Sequence, residues 1–237
     1  MPRYDVVLFD AGETLLRPEP SFPELVVALL RARGVDVARD DPSWIDRALA
    51  SVFRAMDDLV VNREHFSTST ERSRAFWTAL YTRLLAELGV HDPDARHATY
   101  LHEEFSKPEH YALFPDALPA LRELAAAGYT LGIVSNFEAW LEVLLDRLGV
   151  APLMSVVVVS GNEGIEKPDA EIFRRALDRL SAPPDRAVYV GDNPRIDVRP
   201  ALDLGMGAVL VDRRGVHTAF RDSTVVRSLE QLPAAIR

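Results

Sequence analysis

Near its start the chain carries an unbroken apolar run, Val6-Val7-Leu8-Phe9, that stops at a carboxylate, Asp10, and a turn, Ala11-Gly12-Glu13-Thr14. β-branched and large apolar residues without polar alternation predict a central parallel strand buried on both faces. A charge directly after such a strand cannot stay inside the sheet. It falls at the carboxyl end, where open α/β sheets place their ligand crevice, and so suits an attacking carboxylate. Taken alone, Asp10 equally fits the aspartate that caps many turns after a strand. The periodicity then changes. Arg17-Pro18-Glu19-Pro20-Ser21 is a break expected to end the strand and turn the chain into a different layer, and from Phe22 to about Phe114 apolar residues recur at helical spacing. A first helix carries Phe22, Leu25, Val26, Leu29 and Leu30 and stops at Gly34; a second opens at Asp41-Pro42 and carries Trp44, Ile45, Leu49, Val52, Phe53 and Met56. A third starts around Thr68 to Thr70 and carries Phe76, Trp77, Leu80, Tyr81, Leu84, Leu85 and Leu88, and a fourth opens at Asp92-Pro93. Stripes this wide fit a small helical bundle.

At Pro115-Asp116 strands and helices alternate again. A helix from Ala117 to Ala127 ends at Gly128, strand Thr130 to Val134 delivers Ser135-Asn136, and a helix follows from about Glu138 to Leu148. Strand Met154 to Val159 leads through a glycine-bearing loop to Lys167-Pro168-Asp169 and a helix through Ile172, Phe173, Ala176, Leu177 and Leu180. Strand Ala187 to Val190 ends in Gly191-Asp192-Asn193, with Asp197 at a turn or helix start five residues after Asp192. A helix through Ala201 and Leu204 stops at Gly205, Ala208 to Val211 makes a further strand, and the tail to Arg237 carries no clear chemistry. The polar groups therefore arrive after successive strands and reach one crevice if those strands are neighbours. Asp192 can join Asp10 as a hard-cation ligand, while Asp197 can orient a ligand or the lysine.

Composition narrows the chemistry. With 237 residues, 48% of them hydrophobic, the chain suffices for one large α/β domain or one domain with an inserted module. Asp and Glu number 36 against 27 Lys and Arg, a net charge of -9, the wrong balance for a non-specific nucleic-acid binder. An anionic substrate is repelled at long range, so phosphate binding would need local devices: a metal, a lysine, helix N-termini. The absence of cysteine excludes disulfides, thiolate zinc sites and a cysteine nucleophile, and leaves oxygen or imidazole to hold any metal. The start passes from Pro2-Arg3 into the first strand without a signal-peptide pattern, and no apolar run approaches membrane-spanning length; the expectation is a soluble, cytoplasmic protein. Trp44 and Trp77 read as core, and Arg63, Arg72 and Arg74 as a solvated face. His97 and His102, beside Glu103 and Glu104, are five residues apart and do not share a helical face as an i, i+4 pair would, which argues against a metal site there.

Asp10 with Thr14, Ser135 with Asn136, Lys167, and Asp192 with Asp197, each after a predicted strand, together with the Gly191-Asp192 and Lys167-Pro168-Asp169 runs, resemble the motifs of the haloacid dehalogenase-like superfamily over residues 6 to about 211. The resemblance implies an α/β fold: a doubly wound parallel-sheet (Rossmann-like) core at 1–16 and 115–237, with an inserted helical-bundle cap at 17–114. It also implies a Mg²⁺-dependent phosphatase acting on a small-molecule phosphomonoester, with Asp10 attacking phosphorus to form an aspartyl phosphate. Asp10, the carbonyl of Gly12 and Asp192 would hold Mg²⁺, with Asp197 counted at the metal site. The implied catalytic set is Asp10, Thr14, Ser135 and Lys167, and the implied substrate contacts are Gly12, Glu13, Asn136 and Asn193. Ser135 can donate to a phosphoryl oxygen and Lys167 can offset charge in the transition state. The expected partner is the small phosphoester, with no nucleic acid and no membrane, on a monomer or homodimer.

One departure matters. Phosphatases that look like this usually carry a second Asp two residues after the nucleophile, as general acid and then base; here that position is Gly12. Losing general acid catalysis costs about 10²- to 10⁴-fold, and Glu13 is the nearest candidate to replace it. The departure also raises an alternative, since 2-haloacid dehalogenases of this superfamily lack the second Asp and work without metal. Their fourth motif is neutral where this chain has Asp192, whose carboxylate would repel Asp10 unless a cation sat between them. A non-catalytic phosphate-binding protein of the same fold is a third reading, and a receiver-type phosphoacceptor is disfavoured by its different motif order and by the long helical insert. Arg17 and Arg195 lie near enough to the motifs to touch a phosphoester, or are surface charges.

Overall fold

The computed structural model describes residues 3–37, 44–45, 47–50, 52, 54 and 65–237. Asp41, Pro42, Phe53, Met56 and Arg63 lie outside the described residues. The chain divides into two units, one of residues 1–16, 67–69 and 113–237 and the other of residues 17–66 and 70–112.

The first unit is built on a parallel sheet whose strands are β1 (Val6–Phe9), β4 (Thr130–Ser135), β5 (Val156–Val159), β6 (Ala187–Gly191), β7 (Gly207–Val211) and β8 (Thr224–Val226). Two three-residue strands, β2 (Leu16–Pro18) and β3 (Tyr111–Leu113), pair apart from it. The order across the main sheet is β5-β4-β1-β6-β7-β8, all parallel. The chain winds outward from β1 through β4 and β5, then returns to the other side of β1 for β6, so the order in which strands are added reverses between β1 and β6. This is the doubly wound α/β arrangement expected from the sequence. Val7, Leu8 and Phe9 are fully buried, as a strand covered by helices on both faces requires. The register sets Phe9 beside Ile133 and Val190, so the residues that follow β1 and β6 and the last residues of β4 emerge at one edge.

The second unit packs helices Phe22–Ala32, Thr70–Glu87 and Arg96–Phe105. Its apolar core includes Leu25, Leu30, Ile45, Leu49, Leu84 and Leu101, with Trp44 buried and Trp77 packed against it. Phe22, Tyr81 and Phe105 stack through ring centroids 4.6 to 6.3 Å apart. Among the described residues no helix is long and apolar enough to cross a membrane.

Local departures from the sequence expectations have physical causes. Part of the Arg17-Pro18 break and part of the region read as helical are the strands β2 and β3, each too short to show a period. The fourth helix begins at Arg96 rather than at Asp92-Pro93, because the Asp92 carboxylate reaches forward to accept the N–H groups of His97 and Ala98 at 2.9 to 3.2 Å. The helix expected from Glu138 starts at Leu141, since the main-chain N–H and C=O of Phe137 are both bonded to Ser160 Oγ, at 3.0 and 3.1 Å. The tail adds β8 to the sheet beside β7, pairing Leu210 with Val225.

Candidate active site

The site is assembled at the carboxyl edge of β1, β4 and β6. Asp10 continues the β1 ladder by one bond, its N–H donating to Val190 O at 2.9 Å, and that bond seats its side chain beside the end of β6. One carboxylate oxygen from each of Asp10, Asp192 and Asp197 lies within 4.8 Å of the others. The sequence scattered these residues across 188 positions; the strand order brings them together.

Asp10, 7% exposed, is held on one side only. Its Oδ1 accepts from Lys167 Nζ at 2.7 Å and from Ser135 Oγ at 2.9 Å, while Oδ2 receives no hydrogen bond among the described residues. Lys167 is 1% exposed and its three ammonium protons have three acceptors: Asp10 Oδ1, Asp197 Oδ1 at 2.6 Å and Tyr189 Oη at 3.0 Å. Tyr189 donates in turn to Val134 O at 2.6 Å. Burial works against the lysine's charge, but Asp10 and Asp197 outweigh it and hold the ammonium well above the usual lysine range. Burial pushes the Tyr189 phenol up as well, leaving it a neutral hydroxyl. The main chain of Lys167 is clasped by the Asn136 amide, whose Oδ1 accepts from Lys167 N at 2.7 Å and whose Nδ2 donates to Lys167 O at 2.8 Å.

Asp197 sits in the turn Pro194–Val198 and is 1% exposed. Both its oxygens are engaged, Oδ1 by Lys167 and Oδ2 by the N–H of Asn193 at 3.0 Å. Gly191 makes room for it: a Cβ there would overlap the Asp197 carboxylate. Asn193 caps the same turn, its Oδ1 accepting from Arg195 N at 2.9 Å and Ile196 N at 3.4 Å. Asp192 is the exception in the cluster, half-buried and without a hydrogen bond to its carboxylate among the described residues. Burial, then Asp197, Asp10 and Glu13, push its carboxyl well above the usual range. Burial, with Asp10 acting in the same direction, raises Asp197 to about 6 against the opposing pull of Lys167.

The turn after β1 is less complete. Thr14 is buried, with no hydrogen-bond partner for its hydroxyl among the described residues, while its carbonyl accepts from Arg213 Nη2 at 2.8 Å. Arg213 also grips Asp116 through two bonds of 2.8 and 3.0 Å and lies 3.8 Å over the Phe114 ring. Glu13 is exposed, at φ 55°. At Gly12 a Cβ would meet no atom within 4 Å. Arg17 bonds within its own loop, to Glu19 at 2.6 Å and to the carbonyl of Pro20, and Arg195 is exposed. Away from this edge, Glu104 is engaged by Lys107 at 2.7 Å and His110 at 3.0 Å.

The geometry adds two residues that the sequence pattern did not single out. Tyr189 is hidden in an apolar strand, where the only signal was a hydroxyl-bearing ring in a run otherwise without polar groups. Arg213 lies in a loop whose partner, Asp116, is 97 residues away.

The donor set fits a hard divalent cation. Three carboxylates lie around one lysine, and one of the three, Asp192, accepts no hydrogen bond among the described residues and feels more like charge than the lysine offsets.

Comparison with known proteins agrees with this picture. The family model for haloacid dehalogenase-like hydrolases matches residues 4–205. The haloacid dehalogenase-like hydrolase domain-containing protein 3 of Danio rerio is 29% identical over 98% of this chain and 96% of its own. A phosphoserine phosphatase of Thermus thermophilus is 30% identical over 88% of each. The magnesium-bound crystal structure of the HAD-hydrolase YfnB from Bacillus subtilis has a TM-score of 0.77 at 18% identity, over 99% of each chain, a likeness of fold. With the family model spanning both strand-end carboxylates and the lysine loop between them, this chain belongs to the haloacid dehalogenase-like hydrolases.

Proposed function

We propose that the chain is a Mg²⁺-dependent phosphatase that hydrolyses a small-molecule phosphomonoester through an aspartyl phosphate on Asp10, as a cytoplasmic monomer or homodimer. The observation that carries this is the three-carboxylate cluster with one bare member, Asp192, beside an Asp10 whose Oδ1 is pinned and whose Oδ2 is open. The phosphatase named among the relatives, 30% identical over most of both chains, supports the reaction class.

Asp10, the Gly12 carbonyl and Asp192 would hold the cation. It would supply positive charge that offsets the repulsion between these carboxylates and a phosphoryl group. Asp197 is better assigned to fixing Lys167 than to the metal, because both its oxygens serve protein donors. Likewise Asn136 and Asn193 are assigned to positioning rather than to the substrate: the first holds the lysine main chain, the second caps the turn that carries Asp197.

Lys167 and Ser135 hold Asp10 Oδ1 still, so that Oδ2 presents a lone pair to phosphorus. The new O–P bond forms as the ester P–O bond breaks, and the leaving oxygen takes that electron pair. Water then attacks the phosphoryl group, and Asp10 leaves as a carboxylate. The buried Thr14 hydroxyl, which has no partner among the described residues, is the proposed hydroxyl donor to a phosphoryl oxygen, since the one proton of Ser135 is given to Asp10 Oδ1, and the helical unit, residues 17–114 by the sequence boundary, is the proposed cap that excludes water. Gly12 supplies no proton to the leaving oxygen, and Glu13 is exposed, so esters with acidic leaving groups are the favoured substrates.

The same missing acid favours a second reading, a metal-independent 2-haloacid dehalogenase, since halide leaves without a proton. The bare Asp192 beside Asp10 argues against it. Hydrolysis of p-nitrophenyl phosphate with Mg²⁺, with EDTA and by Asp10→Asn separates these readings. Metal-dependent release lost in Asp10→Asn is the expected result. Release of chloride from 2-chloropropionate without metal would replace it with the dehalogenase, and phosphate binding without turnover of either would replace it with a non-catalytic protein of this fold.

A further inference from the structure

Three buried polar side chains meet in the first unit away from the carboxylate cluster: Ser67, Ser160 and Glu166, at 2%, 0% and 3% exposure. Ser67 sits in sequence between the two stretches of the helical unit, yet residues 67–69 cluster with the sheet unit. Ser67 donates to Glu166 Oε2 from its main-chain N–H at 2.7 Å and from its hydroxyl at 2.6 Å. The same hydroxyl oxygen lies 2.6 Å from Ser160 Oγ. Each hydroxyl has one proton. With that of Ser67 given to the carboxylate, Ser160 has its own for Ser67 Oγ or for the carbonyls of Ser67 and Phe137, at 3.2 and 3.1 Å, and it accepts the N–H of Phe137 at 3.0 Å.

Both ends of this network lead to the site's lysine. Glu166 is the residue before Lys167, and Phe137 is the residue after Asn136, whose amide clasps the Lys167 main chain from both sides. One serine from a distant stretch of chain is therefore linked to the lysine loop twice, through Glu166, the covalent neighbour of Lys167, and through Ser160, Phe137 and the Asn136 amide. We propose that Ser67 is a positioning residue for Lys167, acting through Glu166 and Ser160 to fix where the ammonium meets Asp10 and Asp197. A carboxylate at position 166 suits this task, since it accepts from the N–H and the hydroxyl of one residue together. A displacement of the ammonium by about 1 Å is enough to cost roughly 10²-fold in a site that works by orientation.

The kinetic arm of the test rests on the phosphatase reading; the exchange arm does not. The full chain and its Ser67→Ala and Glu166→Gln variants are compared by amide hydrogen exchange with mass spectrometry and by p-nitrophenyl phosphate turnover with Mg²⁺. Each variant is expected to speed exchange in residues 160–168 as well as in 65–69, and to lower kcat about 10-fold or more with KM nearly unchanged. The double variant is expected to be little worse than either single one, because all three cut the same link. A purely structural tie predicts faster exchange at 65–69 alone, parental exchange at 160–168 and parental kcat, and that result overturns the proposal. If the parent itself does not hydrolyse the ester, the phosphatase reading falls while exchange at 160–168 still decides the role of Ser67. Should Ser67→Ala fail to fold, Glu166→Gln, which keeps the size of the side chain and removes the charge that strengthens both bonds to Ser67, carries the same comparison.

Discussion

Asp10 and Asp192 occupy equivalent places, each the first residue after a neighbouring parallel strand, and they have opposite surroundings. Asp10 is fastened by a lysine and a serine through Oδ1, while Asp192 has no donor among the described residues and is pushed toward its protonated form by burial and by the other carboxylates. The same strand-end geometry thus yields one carboxylate oriented by the protein and one that accepts no hydrogen bond among the described residues. The first suits a nucleophile, whose attacking oxygen must be aimed. The second suits a ligand, whose charge must be neutralised from outside.

The comparison breaks most completely at Asp10. Asp10→Asn keeps the shape and removes the proposed nucleophile, and p-nitrophenyl phosphate turnover is expected to fall by about 10⁴-fold or more. Removing the fastening comes next. Lys167→Ala leaves Asp10 and Asp197 buried without their counter-charge, and urea unfolding is expected to show a loss of about 3–5 kcal/mol, with turnover lost as well. A smaller and more selective change is expected from Asp192→Asn. Titration of activity with Mg²⁺ should show apparent affinity weakened by about 10- to 100-fold, with little loss of fold stability, since no hydrogen bond is broken.

The empty position tests the turn between them. Gly12→Asp has room for its Cβ, and it is expected to raise turnover of alkyl phosphates by about 10-fold or more while changing p-nitrophenyl phosphate turnover much less. Equal effects on both esters would show that proton delivery to the leaving group is not what position 12 lacks.

The smallest expected effect is on stability against pH. Asp197 is raised to about 6 and Asp192 is raised also, so the folded state binds more protons than the unfolded chain between their ordinary range and the raised values. The Asp197 contribution therefore lowers stability as pH rises from about 4 toward 6 and is fully present above 6, and Asp192 adds a penalty of the same sign. Mg²⁺ is expected to raise Tm more at pH 7.5 than at pH 5, by a few °C when near saturation, measured by calorimetry. An equal shift at both pH values would separate the cation from these carboxylates.

Much of this frame was legible in the sequence because it is local. β1, β4 and β6 are largely apolar runs without alternation, and Asp10, Ser135 and Asp192 stand at or directly after their ends, so strand pattern and chemistry are legible together. The strand order then decides what touches what, and it has no local signature. Tyr189 reaches Lys167 and Val134 only because β6 and β4 flank β1, and the Ser67 link to Glu166 spans 99 residues of chain. The family resemblance implies substrate contacts at Asn136 and Asn193, while in the structure the Asn136 amide and the Asn193 Oδ1 are engaged with main-chain groups that no sequence pattern places beside them. Strands β2, β3 and β8, three residues each, are shorter than any period can reveal.

The central claim, that Asp10 is the fastened nucleophile beside a cation site, is tested most directly by trapping the intermediate. The protein is mixed with Mg²⁺ and p-nitrophenyl phosphate, quenched in acid within a turnover, and digested for peptide mass spectrometry. The expected result is one phosphoryl group on Asp10, absent with EDTA and absent in Asp10→Asn. Turnover that continues with Asp10 never modified, or that survives in Asp10→Asn, would contradict it.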